Sequence, residues 1–206
     1  MPKGKKIKNY FSGFGLPRRA GSGKISAMEK KMYLDARDFL RDTWRLGRAI
    51  LDSGWIPDVL IALWRGGAEP GVVLHEFLKI HGLSLRHMPI KCSSYTGIGE
   101  NDSEVKFEHA ESVLDSLAPG TKVLVVDDVF DTGRTAAAVH AKMAERGCEM
   151  KMACVYWKPS KNVTSYKPDF YVTTLERWIV FPHEIEGLTP EEIMDKDPVL
   201  AKLVRL

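Results

Sequence analysis

Two short apolar runs constrain the fold of this chain more than any other feature. Val59-Leu-Ile-Ala-Leu63 and Val123-Leu-Val-Val126, the second opened by Lys122, show no apolar–polar alternation. Strands of that kind are buried on both faces, as in parallel sheets covered by helices. Each run leads into a polar turn and then into apolar residues at helical spacing. After the first come Trp64-Arg65-Gly66-Gly67 and then Val73, Phe77 and Ile80. After the second come Asp127-Asp128, a turn over 131–135, and a helix from Thr135 to Arg146. That helix should turn Val139 and Met143 inward and end on Gly147. Upstream, Leu40, Trp44 and Leu51, with Phe39 and Ile50 beside them, fit a helix with one buried stripe, ended by Gly54 and Pro57. Met152–Trp157 and Phe170–Thr173 read as further strands. Alternating strands and helices predict an α/β fold with a doubly wound, mainly parallel sheet flanked by helices. The polar stretch from Cys92 to His109 is long for a connection and is expected to form a small hood or flap.

Composition excludes several classes. The 206 residues hold three cysteines, Cys92, Cys148 and Cys154, which cannot close a disulfide set and lack CxxC spacing. A reducing, cytoplasmic location is expected, without a structural zinc site. No apolar run approaches the ~18 residues of a membrane span, and the basic N-terminus lacks the apolar core of a secretory signal. Charge is lopsided: residues 1–31 sum to +8 and residues 32–206 to −5, giving the net +3. Residues 1–30 therefore read as a basic, mobile extension, 31–186 as the domain, and 187–206 as a tail without a motif. The Gly21-Ser-Gly-Lys24 stretch fails P-loop spacing and has no strand leading into it.

Ligands of open α/β sheets bind beyond the carboxyl ends of the strands. Two strands of this chain end there in unusual sequences. In the first, Asp131-Thr132-Gly133-Arg134-Thr135, backbone N–H groups can wrap a phosphate at the start of a helix. Gly133 permits close approach, and Thr132 and Thr135 supply hydroxyls. Asp127 and Asp128 just before that loop suit a sugar diol or a magnesium ion. A phosphorylated ribose satisfies both halves. In the second, Arg65-Gly66-Gly67 combines a guanidinium with two approachable amides, a pattern fitted to a highly charged anion.

Strand, acidic pair and Asp-Thr-Gly-x-Thr loop together resemble the signature of the type I phosphoribosyltransferases, over roughly residues 33–185. The resemblance implies binding of phosphoribosyl pyrophosphate by Arg65, Gly66, Gly67, Asp127, Asp128, Asp131, Thr132, Gly133, Arg134 and Thr135. It implies a cis peptide at Trp64–Arg65, and Mg2+ shared between Asp127, Asp128 and the substrate. It gives Asp131 the part of catalytic base, and Arg65 that of stabilising the departing pyrophosphate. Ser93-Ser94-Tyr95 is similar to the flexible loop of the purine enzymes. Lys158 matches a lysine that donates to the 6-oxo oxygen of a purine, and Trp178-Ile179 matches the segment that stacks on and reads the base. The implied activity is transfer of the 5-phosphoribosyl group to N9 of a 6-oxopurine in purine salvage, by a homo-oligomer. Val180 stands where bacterial xanthine-guanine enzymes carry Glu, so the choice among guanine, xanthine and hypoxanthine stays open. Lys91 or Lys106 is the candidate for any basic flap contact. Nucleic acid is not an expected partner. Two rivals are a non-catalytic sensor that binds nucleic acid through its basic tail, and a transferase for another base.

Overall fold

The computed structural model describes residues 31–95, 104–108 and 110–205. The basic extension 1–30 and the centre of the expected flap, 96–103, lie outside the described residues. Six strands form one sheet: β2 (Val59–Trp64), β3 (Arg86–Tyr95), β4 (Glu104–Glu108), β5 (Lys122–Phe130), β6 (Glu149–Trp157) and β7 (Phe170–Thr174), in the order β4-β3-β2-β5-β6-β7. All neighbours are parallel except the edge strand β4, which runs antiparallel to β3. A separate parallel pair joins β1 (Met32–Tyr33) to β8 (Ile179–Val180).

The uninterrupted apolar runs serve both faces of this sheet. Ile61, Val123 and Val125 face the layer made by α3 (Glu111–Asp115) and α4 (Arg134–Glu145), joining Leu114, Val139 and Met143. Leu60, Leu124 and Val126 face the opposite layer, α1 (Ala36–Asp52) and α2 (Ala68–Ile80), joining Phe39, Leu46, Ile50, Leu74 and Leu78. Each such aliphatic side chain contributes about 1.5–3 kcal/mol on burial. The doubly wound expectation holds.

The helical stripes differ in phase from the expectation. In α1 the buried residues are Phe39, Thr43, Leu46, Gly47 and Ile50, and Trp44 is exposed. Thr43 is admitted because its hydroxyl donates to the Phe39 carbonyl at 2.9 Å, and Gly47 because the Phe77 ring packs directly on it. In α2 Pro70, Gly71, Leu74 and Leu78 face inward, while Ile80 is 82% exposed. Val139 and Met143 are inward as expected. The Cys92–His109 stretch is not loop throughout: β3 runs on to Tyr95 and pairs with β4, so Ser93, Ser94 and Tyr95 lie on a strand. Residues 187–206 hold two short helices, α5 (Pro190–Lys196) and α6 (Pro198–Leu203). Thr189 and Glu192 close a capping box on α5, and Asp197 caps α6. No helix among the described residues is long and apolar enough to cross a membrane.

Candidate active site

Strands β2, β5 and β6 are parallel neighbours, so their carboxyl ends open on one edge of the sheet. A cavity of about 370 Å³ lies there. It is lined by Arg65 and Gly66 after β2, by Asp127, Asp128, Asp131 and Thr135 on and after β5, and by Lys158 after β6. Trp178 and Ile179, at and next to β8, close it from the side. Gly67, Thr132, Gly133 and Arg134 build the loops behind that wall and do not line it.

The loop after β2 turns through a cis peptide at Trp64–Arg65, as expected. Gly67 begins the turn into α2 so close to β5 that a Cβ there would overlap the Val126 carbonyl. A Cβ on Gly66 would stand 2.5 Å from the Asp128 carboxylate, which places the acidic pair against this loop. Arg65 reaches out to Glu186 at 2.9 Å in an exposed ion pair. Ion pairs of this kind are weak in water, so the guanidinium is available to a stronger anion.

The loop after β5 is fixed from behind. Gly133 has φ +79°, a left-handed conformation suited to glycine. A Cβ there would meet Asn162 Oδ1 at 2.5 Å and Thr164 Oγ1 at 2.6 Å. Val163 N donates to the Thr132 carbonyl at 3.0 Å, so the 162–166 segment braces the loop. Arg134 and Thr135 then open α4 with their backbone N–H groups at its N-terminus.

The acidic pair is electrostatically loaded. Asp127 accepts from the Asp128 N–H at 3.0 Å and Asp128 from the Val129 N–H at 2.6 Å. Burial pushes Asp128 up to about 6, against the Val129 N–H and the positive charge of His183. Burial, and then the neighbouring carboxylate, hold Asp127 well above the usual range. Burial, then Asp127, also drives the Cys92 thiol up to about 12, so this cavity-lining cysteine is no nucleophile.

Toward the other end, Lys158 is buried and its Nζ donates to Asp131 Oδ2 at 3.0 Å. Trp178 is 57% exposed beside them, while Ile179 is buried. An exposed indole next to a fixed cation and a carboxylate is a surface on which a flat heterocycle can stack and be read.

The phosphoribosyl transferase domain model matches residues 29–187, most of the chain. The chain belongs to the phosphoribosyltransferase family. It is an enzyme of phosphoribosyl transfer, and its parallel sheet flanked by helices is that of the type I members. It is 31% identical over 166 residues to the xanthine-guanine phosphoribosyltransferase of Desulfotalea psychrophila, covering 79% of this chain and 92% of that one. Among solved structures, the purine phosphoribosyltransferase of Pyrococcus horikoshii is 32% identical with a TM-score of 0.62, covering 77% of this chain and 97% of that chain. A Neisseria gonorrhoeae protein with bound ppGpp shares the fold at 23% identity and TM-score 0.69, covering 87% and 100% of the two chains.

The sequence alone did not assign part of the cavity of this phosphoribosyltransferase. Leu63, Trp64, Cys92, Val129, Phe181, His183 and Glu184 also line the cavity. The Phe181-Pro-His-Glu184 run was the available signal, with a turn-forming Pro between an aromatic and two polar residues. Of the candidate flap cations, Lys91 is paired with Glu108 at 2.7 Å on the β3–β4 ribbon.

Proposed function

We propose that this phosphoribosyltransferase transfers the 5-phosphoribosyl group from phosphoribosyl pyrophosphate to N9 of a 6-oxopurine. The observation that carries this reading is the buried Lys158, paired with the partly exposed Asp131 beside the exposed Trp178. A lysine fixed there offers a donor to a 6-keto oxygen and repels the 6-amino group of adenine. The Desulfotalea and Pyrococcus relatives, named for purines, support the same choice.

In this reading the Asp131–Thr135 loop takes the 5′-phosphate, and Asp127 and Asp128 face the ribose hydroxyls. Arg65 and the Gly66 amide take the pyrophosphate, while the Gly67 N–H is committed to the Leu63 carbonyl at 2.8 Å and only shapes the turn. The purine N9 forms its bond to C1′ as the C1′–O bond to pyrophosphate breaks. Asp131 receives the proton that the purine gives up at N7, and Trp178 and Ile179 hold the ring against Lys158. Arg65 meets the negative charge that grows on the departing pyrophosphate.

The acidic pair fits Mg2+. Two desolvated carboxylates side by side form an incomplete ligand set, and no larger cluster of metal-binding side chains occurs among the described residues. Magnesium characteristically takes one or two carboxylates and completes its shell with substrate phosphates and water. When bound, it would neutralise pyrophosphate charge. The free cysteines agree with a cytoplasmic location. The expected homo-oligomer can be read by sedimentation velocity.

The deciding assay supplies the purified chain with Mg2+, phosphoribosyl pyrophosphate and separate free bases. Nucleotide is expected from guanine, xanthine or hypoxanthine, and none from adenine or orotate. Turnover confined to adenine or orotate would overturn the choice of base.

A further inference from the structure

His183 has no assigned part in the phosphoribosyl transfer described above, yet it sits in the wall of the same cavity. Three features hold it there. Its Nδ1 lies 2.8 Å from Glu69 Oε2, on the first turn of α2 and two residues beyond Gly67. Its ring stacks on Phe181, with centroids 5.7 Å apart and planes 16° from parallel. The turn that carries it is closed on both sides. Glu184 N donates to the Phe181 carbonyl at 3.0 Å, and Phe181 N donates to Glu184 Oε2 at 3.0 Å. From α5, Lys196 Nζ then donates to the carbonyls of both Phe181 and Glu184. Pro182 stands at the second position of this turn, where its fixed φ is favoured.

A histidine clamped so thoroughly is built for position. The segment walks along the cavity from Ile179 at the base end to His183 beside Glu69, and thus beside the Arg65-Gly66-Gly67 loop. With Nδ1 donating to Glu69, Nε2 is the ring's remaining polar atom. An imidazolium donates from both nitrogens, and a carboxylate on Nδ1 stabilises that form and fixes the ring. The charged groups around the ring are Glu69 on α2, Asp128 on β5, Glu184 on the same turn and Arg65 across the cavity. The ring is thus a second nitrogen donor set among carboxylates, at the end of the cavity where Arg65 is the first.

We propose that the Glu69–His183 dyad is part of the pyrophosphate site: His183 donates from Nε2 to a pyrophosphate oxygen, and Glu69 orients the ring for that contact. The inference rests on the phosphoribosyl-transfer reading and deepens it. The site would then hold its leaving group with two donors of different kinds, an exposed flexible arginine and a braced histidine ring.

The test measures magnesium pyrophosphate binding by calorimetry on the full chain, alongside separate KM values for phosphoribosyl pyrophosphate and for the purine. H183A is expected to weaken pyrophosphate binding about ten-fold, the size of one charge-assisted hydrogen bond. It should raise the KM for phosphoribosyl pyrophosphate in step while leaving the KM for the purine within two-fold. H183Q keeps a donor near the position of Nε2 and should recover part of the loss, whereas H183N should not. E69Q, which preserves shape, should fall between wild type and H183A, and it decides the matter if H183A unfolds. Unchanged pyrophosphate affinity in H183A and E69Q overturns the proposal, as does an equal rise in both KM values. Absence of turnover with every purine would defeat the functional reading alone, because the calorimetric comparison needs no turnover.

Discussion

Asp131 and Lys158 neutralise each other across 3.0 Å at the point where a purine would be read. A ligand entering there must compete with that pair or bind along it, so the two residues should fail differently. Asp131→Asn keeps the shape of the loop and removes the proton acceptor. Its kcat should fall by about 100-fold or more, with the KM for phosphoribosyl pyrophosphate within a few-fold. Lys158→Gln should raise the KM for the 6-oxopurine about ten-fold and narrow the preference over adenine; steady-state kinetics with both bases reads this. The acidic pair supports a prediction of opposite sign for stability. Burial raises Asp128 from 3.8 to about 6, so in the absence of metal folding favours its protonated form. That contribution is present below the unfolded value and is lost as pH rises through about 6, leaving a buried charge at neutral pH. Asp128→Asn should therefore raise Tm at pH 7 in chelator and abolish turnover, with little gain at pH 4. The gain should be about 1–3 kcal/mol, the scale of a shift of roughly two units. Urea unfolding of both proteins across pH 4–7 checks it. These residues were legible because their chemistry sits in a contiguous motif. His183 was not: its meaning comes from Glu69, 114 positions away.

At the scale of elements, strands proved easier to read than helix faces. A strand buried on both faces declares itself by an unbroken apolar run, as β2 and β5 do. A helix declares its buried face by size and apolarity, and α1 breaks that rule by burying Thr43 and Gly47 while exposing Trp44. The hydroxyl of Thr43 is satisfied within its own helix, and Gly47 makes room for Phe77 of α2, so neither shows as a core position in the sequence. The β3–β4 ribbon escaped for a different reason: its polar residues match a connecting loop as well as an edge strand. The phosphate loop depends on the fit between two elements, since Gly133 lies against Asn162 and Thr164. Gly133→Ala combines a strained φ with overlap against that brace. It should cost about 1–3 kcal/mol in stability and weaken phosphoribosyl pyrophosphate binding more than purine binding. Thermal unfolding and the two KM values together test it.

For the molecule as a whole, charge and chemistry occupy different parts of the chain. The family match begins at residue 29, and the excess of basic residues lies almost wholly before it. The net +3 therefore describes the extension and not the enzyme around the site. Deletion of residues 1–30 should turn the net charge negative, leave kcat and both KM values within two-fold, and abolish retention on an anionic matrix at low salt. A large loss of activity on deletion would tie the extension to catalysis.

The parallel pairing of Met32–Tyr33 with Ile179–Val180 bears on how the enzyme is made. The strand beside Trp178 finds its partner near the opposite end of the chain, and Lys31 clasps Glu192 of α5 at 2.7 Å to secure the same junction. Contacts so distant in sequence close late, after the sheet between them exists. A chain still leaving the ribosome would hold its sugar-phosphate loops before it held any wall for the purine. The ability to choose a base would be the last property to arrive in synthesis, and the first to disappear when either end of the fold comes loose.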